Sequence, residues 1–82
     1  MESVIDLNIP DLGDSDEMEL LIWHKKKGET FLQGDELADL VSDKAAFSLE
    51  APGTGEILDI YIDAPSKVQP GQRALQIRLN SA

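Results

Sequence analysis

Few side chains in this chain have both the type and the company to do chemistry. There is no cysteine, so no thiolate nucleophile, thiolate metal site or disulfide can form. The single histidine, His24, has no second histidine to complete a metal set; beside Trp23 it reads as a strand residue facing water or partly covered. Ser3, Ser15, Ser42, Ser48, Ser66 and Ser81 lack a base partner apart from His24, which argues against a hydrolase triad. The stretch DSDEMEL carries Asp14, Asp16, Glu17 and Glu19, dense enough to attract a cation. It has neither the length nor the glycine placement of a calcium loop, so it reads as a solvated acidic loop, with partner recognition as the functional alternative. No glycine-rich phosphate loop is present. Catalytic and metal-ligating residues are therefore assigned to none. What is left is a lysine. Lys44 stands in VSDKAAF between Asp43 and Ala45, in a chain with only 7 basic residues. Such a lysine usually serves solubility or blunts a sheet edge. Held at an exposed turn, its amine is also within reach of a modifying enzyme.

What could hold it there is a set of short strands. Pro10, Gly13, Gly28, Gly34, Pro52-Gly53, Gly55, Pro65 and Pro70-Gly71 punctuate the chain, and apolar runs lie between them. Ile5, Leu7 and Ile9 alternate with Val4, Asp6 and Asn8, a half-buried strand pattern. MELLIWH, ELADLV, AFSLEA, GEILDIYI and RALQIRL read as further strands. DEMELLIWHKKK has the acid-first, base-last order of a helix, but Gly28 ends it and its centre favours β structure. ELADLV and AFSLEA flank Lys44, so the residues between them form a tight hairpin with Asp43 as a turn residue. The chain also repeats weakly. One offset lays Leu20 on Ile57, Leu21 on Leu58, Trp23 on Ile60, Phe31 on Val68, Gly34 on Gly71 and Leu40 on Ile77. Two equivalent units that cannot bury their faces alone predict an all-β flattened barrel or sandwich of two short antiparallel sheets with pseudo-two-fold symmetry. Under that symmetry Lys44 corresponds to Ser81, and the lysine turn and the chain end lie at opposite ends.

The bulk numbers narrow the function. The expectation for 82 residues is one small domain, 1–82, with a modest core. A hydrophobic content of 41% suits a folded chain. The net charge of −9 argues against nucleic acid and against an anionic membrane surface. MESVIDLNIP lacks the basic start and apolar centre of a signal peptide. A cytoplasmic protein, or a mature organellar one, is the simplest expectation.

Five segments in order resemble the lipoyl domains of the biotinyl/lipoyl attachment family. IPDLG at 9–13 resembles their opening PDIG/PDLG. WHKKKGETFLQGDELADL resembles their strand–turn segment, with Gly28 and Gly34 at matching places. SDKA at 42–45 resembles the TDKA around the modified lysine. APGTGEI and PGQRALQI resemble the segments that follow. Departures are Pro65-Ser66 where Gly-Asp is common, Ala74-Leu75 for Leu-Ala, and a short, acidic loop after Gly13. That short loop is more like some bacterial pyruvate-complex domains.

The resemblance implies lipoate amide-linked to Lys44 at a hairpin tip by a lipoate ligase or lipoyl transferase. It implies a non-catalytic swinging-arm carrier in a dihydrolipoyl acyltransferase chain of a 2-oxo acid dehydrogenase complex, with pyruvate favoured. The partners implied are the thiamine-dependent decarboxylase that reductively acylates the arm, the acyltransferase core and dihydrolipoyl dehydrogenase. The isolated domain is expected to be a monomer, in bacterial cytoplasm or in the mitochondrial matrix of a eukaryote. Asp43, Ala45, Asp14, Asp16 and Glu17 are the recognition residues it suggests. The alternatives are a biotin carrier, whose lysine typically lies between methionines, and an unmodified interaction module of the same fold.

Overall fold

The computed structural model describes residues 2–11, 17–43 and 45–80. Among them are eight strands: β1 (Glu2–Asn8), β2 (Met18–Trp23), β3 (Thr30–Phe31), β4 (Glu36–Ser42), β5 (Ala46–Glu50), β6 (Gly55–Ile60), β7 (Ser66–Val68) and β8 (Arg73–Asn80). They form two four-stranded antiparallel sheets, in the orders β1-β8-β6-β3 and β5-β4-β2-β7. The fold is the expected all-β flattened sandwich, 38 × 21 × 17 Å along its principal axes. The acid-to-base segment around MELLIWH is strand β2, since its alternate residues Met18 and Leu20 are buried while Glu19 faces water.

The weak repeat in the sequence is a strong repeat in the backbone. β2 pairs with β4 through Leu20↔Leu40, Ile22↔Asp39 and Trp23↔Ala38, with a bulge between Leu20 and Ile22. β6 pairs with β8 through Ile57↔Ile77, Asp59↔Gln76 and Ile60↔Leu75, with the equivalent bulge between Ile57 and Asp59. The tight turns match as well. Asp35 N donates to Leu32 O at 3.0 Å, and Gln72 N to Gln69 O at 3.1 Å. In each, the residue that closes the turn also caps it: Leu32 N donates to Asp35 Oδ2, and Gln69 N to Gln72 Oε1. Gly34 and Gly71 hold the same place in these turns with φ of 89° and 82°. A β-carbon is disfavoured there, so glycine is what the turn geometry requires.

The core follows the symmetry. Leu20 and Ile57, Phe31 and Val68, and Leu40 and Ile77 are equivalent and buried. At Leu37-Ala38 and Ala74-Leu75 large and small are exchanged between the halves, and all four are fully buried. The reversed order noted in the sequence thus conserves total volume, the substitution a packed core tolerates best. Gly55 is needed for a different reason. β6 passes so close to β8 that a β-carbon at Gly55 would strike the Arg78 carbonyl.

Two expectations differ from the structure. The alternation across Ile5, Leu7 and Ile9 predicts a half-buried strand with Val4 outward, but β1 is an edge strand and exposes Ile5 (37%) as well as Val4. Of the three, Ile9 is buried in the core just beyond β1, and Leu7 packs against it partly buried. An edge strand has one neighbour, and the facing sheet covers it less. His24 lies just past the end of β2 and not on it.

Candidate functional site

The hairpin between β4 and β5 is the tightest connection in its sheet. Val41 pairs with Ala46, the last rung before the turn. Ser42 N donates to Ala45 O at 2.7 Å. The Ser42 side chain reinforces the closure: Ala45 N donates to Ser42 Oγ at 3.1 Å, and the hydroxyl lies 3.2 Å from Ala45 O as its donor. A serine bonded to the backbone in this way is a local turn device. Asp43 and Ala45 are both exposed. Lys44 itself lies outside the described residues, as do Asp14 and Asp16 of the acidic segment.

The turn stands at one end of the molecule. Asn80, near the other end of the chain, donates to Thr54 O at 2.8 Å. Thr54 Oγ1 accepts from Gln33 N, and Gly34 N donates to Ala51 O just beyond β5. That cluster adjoins Glu36, where β4 begins, whereas the hairpin lies beyond Ser42, where β4 ends. The seven residues of β4 span about 20 Å. The described flanks therefore place hairpin and chain end apart, as the symmetry predicts.

Beside the hairpin is an open cleft of about 740 Å³, lined by residues that include Glu17, Glu19, Asp43, Lys67, Gln69 and Gln72. Its floor includes Met18 and Val68, both nearly inaccessible to water. Of the five residues suggested for recognition, the structure brings Glu17 and Asp43 into this one surface. It leaves Ala45 on the turn but off the cleft. Among the described residues three carboxylates and one lysine line it, so this part of the rim is acidic. Lys67 sits opposite Glu19 in the β2–β7 register.

Residues 5–77 match the biotin/lipoyl attachment family, described as biotin-requiring enzyme. The chain belongs to that family. Its relatives include the dihydrolipoyllysine-residue succinyltransferase component of the 2-oxoglutarate dehydrogenase complex of Buchnera aphidicola. That protein is 34% identical over 85% of this chain and 17% of its own length. The acetyltransferase component of the pyruvate dehydrogenase complex of Cupriavidus necator is 33% identical over 73% of this chain and 11% of its own. The counterpart of Pseudomonas aeruginosa is 28% identical over 98% and 15%. The chain thus spans less than a fifth of these relatives. In fold it is similar to part of a single-chain, multi-domain long-chain acyl-CoA carboxylase, with a TM-score of 0.75 over 99% of this chain and 7% of that one, at 15% identity. As a biotin/lipoyl attachment domain it is homologous to the lipoyl domains of 2-oxo acid dehydrogenase acyltransferases. The family implies a covalent lipoate or biotin.

Lys67, Gln69 and Gln72 line the cleft beside the β4–β5 hairpin and were not singled out from the sequence. They come from the other half of the repeat, and β7 is three residues long, too short to show a period. The repeat itself was the available signal, because it sets the second-half turn at 69–72 against the first-half turn at 32–35. His24 pairs with Asp39, Nε2 to Oδ1 at 2.9 Å. Together with Glu36 these residues bring ligand atoms within 4.8 Å of one another. The group is exposed or half-exposed, a surface contact of one imidazole with two carboxylates.

Proposed function

We propose that residues 1–82 form one lipoyl carrier domain, with lipoate joined as an amide to Nζ of Lys44. The observation that carries this reading is the hairpin. Its last rung is paired, its turn is closed by Ser42 from both backbone and side chain, and its described flanks are exposed. A turn held this firmly presents its tip as a fixed address to an enzyme, while a group attached there stays free to swing. The flanks Asp43 and Ala45 favour lipoate over biotin. No methionine adjoins the lysine on either side.

The bound group would supply a dithiolane that accepts an acyl group and two reducing equivalents in one transfer. The domain's own residues present it, limit its reach and recognise the enzymes that use it. Amide formation removes one positive charge, so the net charge of −9 becomes more negative by one. Tethering raises the effective concentration of the arm at each active site. The names of the relatives support placing the domain in an acyltransferase component of a 2-oxo acid dehydrogenase complex. The short loop after Gly13 favours the pyruvate complex among these. The partners are then a lipoate ligase or lipoyl transferase, a thiamine-dependent 2-oxo acid decarboxylase, the acyltransferase core and dihydrolipoyl dehydrogenase. The domain contributes recognition through Asp43, Ala45, Asp14, Asp16 and Glu17, but no catalytic residue.

The test is modification in vitro. Apo domain is incubated with lipoate ligase and with biotin ligase in parallel, and the adduct is mapped by peptide mass. One lipoyl amide on Lys44 with no biotinylation is the expected result. Modification of Lys25, Lys26, Lys27 or Lys67 in its place, or preferential biotinylation, overturns the assignment. Reductive acylation by the decarboxylases for pyruvate, 2-oxoglutarate and branched-chain 2-oxo acids then identifies the complex, pyruvate being expected.

A further inference from the structure

A second recessed surface lies at the end of β2 remote from the hairpin. It is a groove of about 480 Å³ between the end of β2 and the β6–β7 connection. Leu21, Ile22, Trp23, Ile60 and Ile62 give it an apolar lining, and its charged lining residues are Lys25, Lys26 and Lys27 against the single carboxylate of Asp63. Leu21 and Ile22 are 43% and 51% exposed, among the largest apolar exposures in the described residues.

The pseudo-symmetry shows which of these features the fold requires. Leu21, Ile22 and Trp23 are equivalent to Leu58, Asp59 and Ile60, and Lys25–Lys27 to Ile62, Asp63 and Ala64. Both segments follow the same bulge and leave their sheet in the same way; His24 N donates to Leu37 O as Tyr61 N does to Ala74 O. One copy of this backbone thus manages with an aspartate where the other exposes Ile22, and without the basic run. The exposed isoleucine, the indole and three of the chain's 7 basic residues are an excess over what the architecture demands. Lys27 reaches Asp59 only at 4.0 Å, and among the described residues Lys25 and Lys26 form no ion pair. The edge is open as well. β7 pairs with β2 only from Met18 to Leu20, so Leu21–Trp23 is bordered on one side by β4 alone. An open strand edge is a template for an extended segment.

We propose that this groove docks an extended acidic segment of a partner protein, one that alternates apolar side chains with Asp or Glu. Its apolar residues would cover Ile22 and the Trp23 face, and its carboxylates would meet Lys25–Lys27. Charge selects this occupant. On a chain of net charge −9 an acidic segment is repelled almost everywhere else, so these lysines focus it here. The surface is distinct from the acidic cleft at the hairpin, and both can be engaged at once.

Trp23 is the only tryptophan and its Nε1 donates to Ile62 O at 2.8 Å, so its emission reports on this groove alone. The probe is a pool of blocked octapeptides alternating Asp or Glu with Leu, Ile or Phe. The control is the same pool with Lys at every acidic position. The acidic pool should shift Trp23 emission saturably at low salt, weakening as salt rises, and the basic pool should not. K25Q/K26Q should weaken binding about fivefold or more, and I22S should remove saturation. Far-UV circular dichroism should be unchanged in both variants, because the positions are surface ones. Equal response to both pools, no response of the parent, or indifference to the lysine substitutions overturns the proposal. So does a concentration-dependent emission change without peptide accompanied by dimers in sedimentation equilibrium, which would make a second copy the occupant.

Discussion

Ser42 closes the hairpin through both its backbone and its side chain. Its hydroxyl accepts from Ala45 N and its own N donates to Ala45 O. Removing the hydroxyl in Ser42→Ala should cost about 0.5–1.5 kcal/mol, the net value of an ordinary protein hydrogen bond. Lipoylation should slow in the same variant because the address is no longer fixed. Denaturant titration and a ligase time course check the two halves of this prediction. Lys44→Ala should instead abolish modification while moving stability by less than about 0.5 kcal/mol, as for an exposed site. A larger loss would mean that the side chain is packed. At Tyr61, partial removal from water raises the phenol above its ordinary 10.0, and the Asp6 carboxylate adds to this through its charge and a hydrogen bond, against Arg73. A pKa raised by folding means that the native state keeps a proton the unfolded chain releases. The associated stability is therefore intact below pH 10 and is lost as pH rises through the folded value. Tyr61→Phe should flatten the fall in stability above pH 10, measured against the parent by thermal unfolding.

Among the elements, the paired turns make the firmest prediction. Gly34→Val and Gly71→Val should each destabilise by about 1–2 kcal/mol, because a β-branched residue is forced to positive φ. Gly55→Ala should cost more than either, since its β-carbon meets a backbone carbonyl that cannot rotate away. Chemical denaturation of the three variants orders them. The same elements show what was legible beforehand. β2, β4, β5, β6 and β8 could be read from period and punctuation, because each is long enough to alternate and glycine, proline or acidic residues lie in the segments between them. β3 and β7, two and three residues long, could not. Their existence depends on pairing partners distant in sequence. The hairpin could be read from its flanking strands, but the cleft beside it could not. Glu17, Asp43 and Lys67 meet only when β7 is laid against β2.

For the whole molecule, charge is the main lever. The acidic rim of the cleft, with the acidic residues that precede Glu17 in the sequence, carries charge that can steer a basic partner. Replacing Asp14, Asp16 and Glu17 by Asn, Asn and Gln should slow reductive acylation of the lipoylated domain and leave lipoylation nearly intact. The deficit should shrink with salt, since exposed charges are screened beyond roughly 10 Å at 0.1 M. Acylation kinetics equal to the parent at low salt would reduce the loop to solvated surface. The central claim is that this sandwich exists to carry lipoate on one lysine. Intact-mass measurement of the protein isolated from its own cells, followed by fragmentation, tests it most directly. The expected result is an increase equal to one lipoate less one water, located on Lys44. An unmodified chain, a biotinyl increase, or a lipoyl group on any other lysine would contradict it.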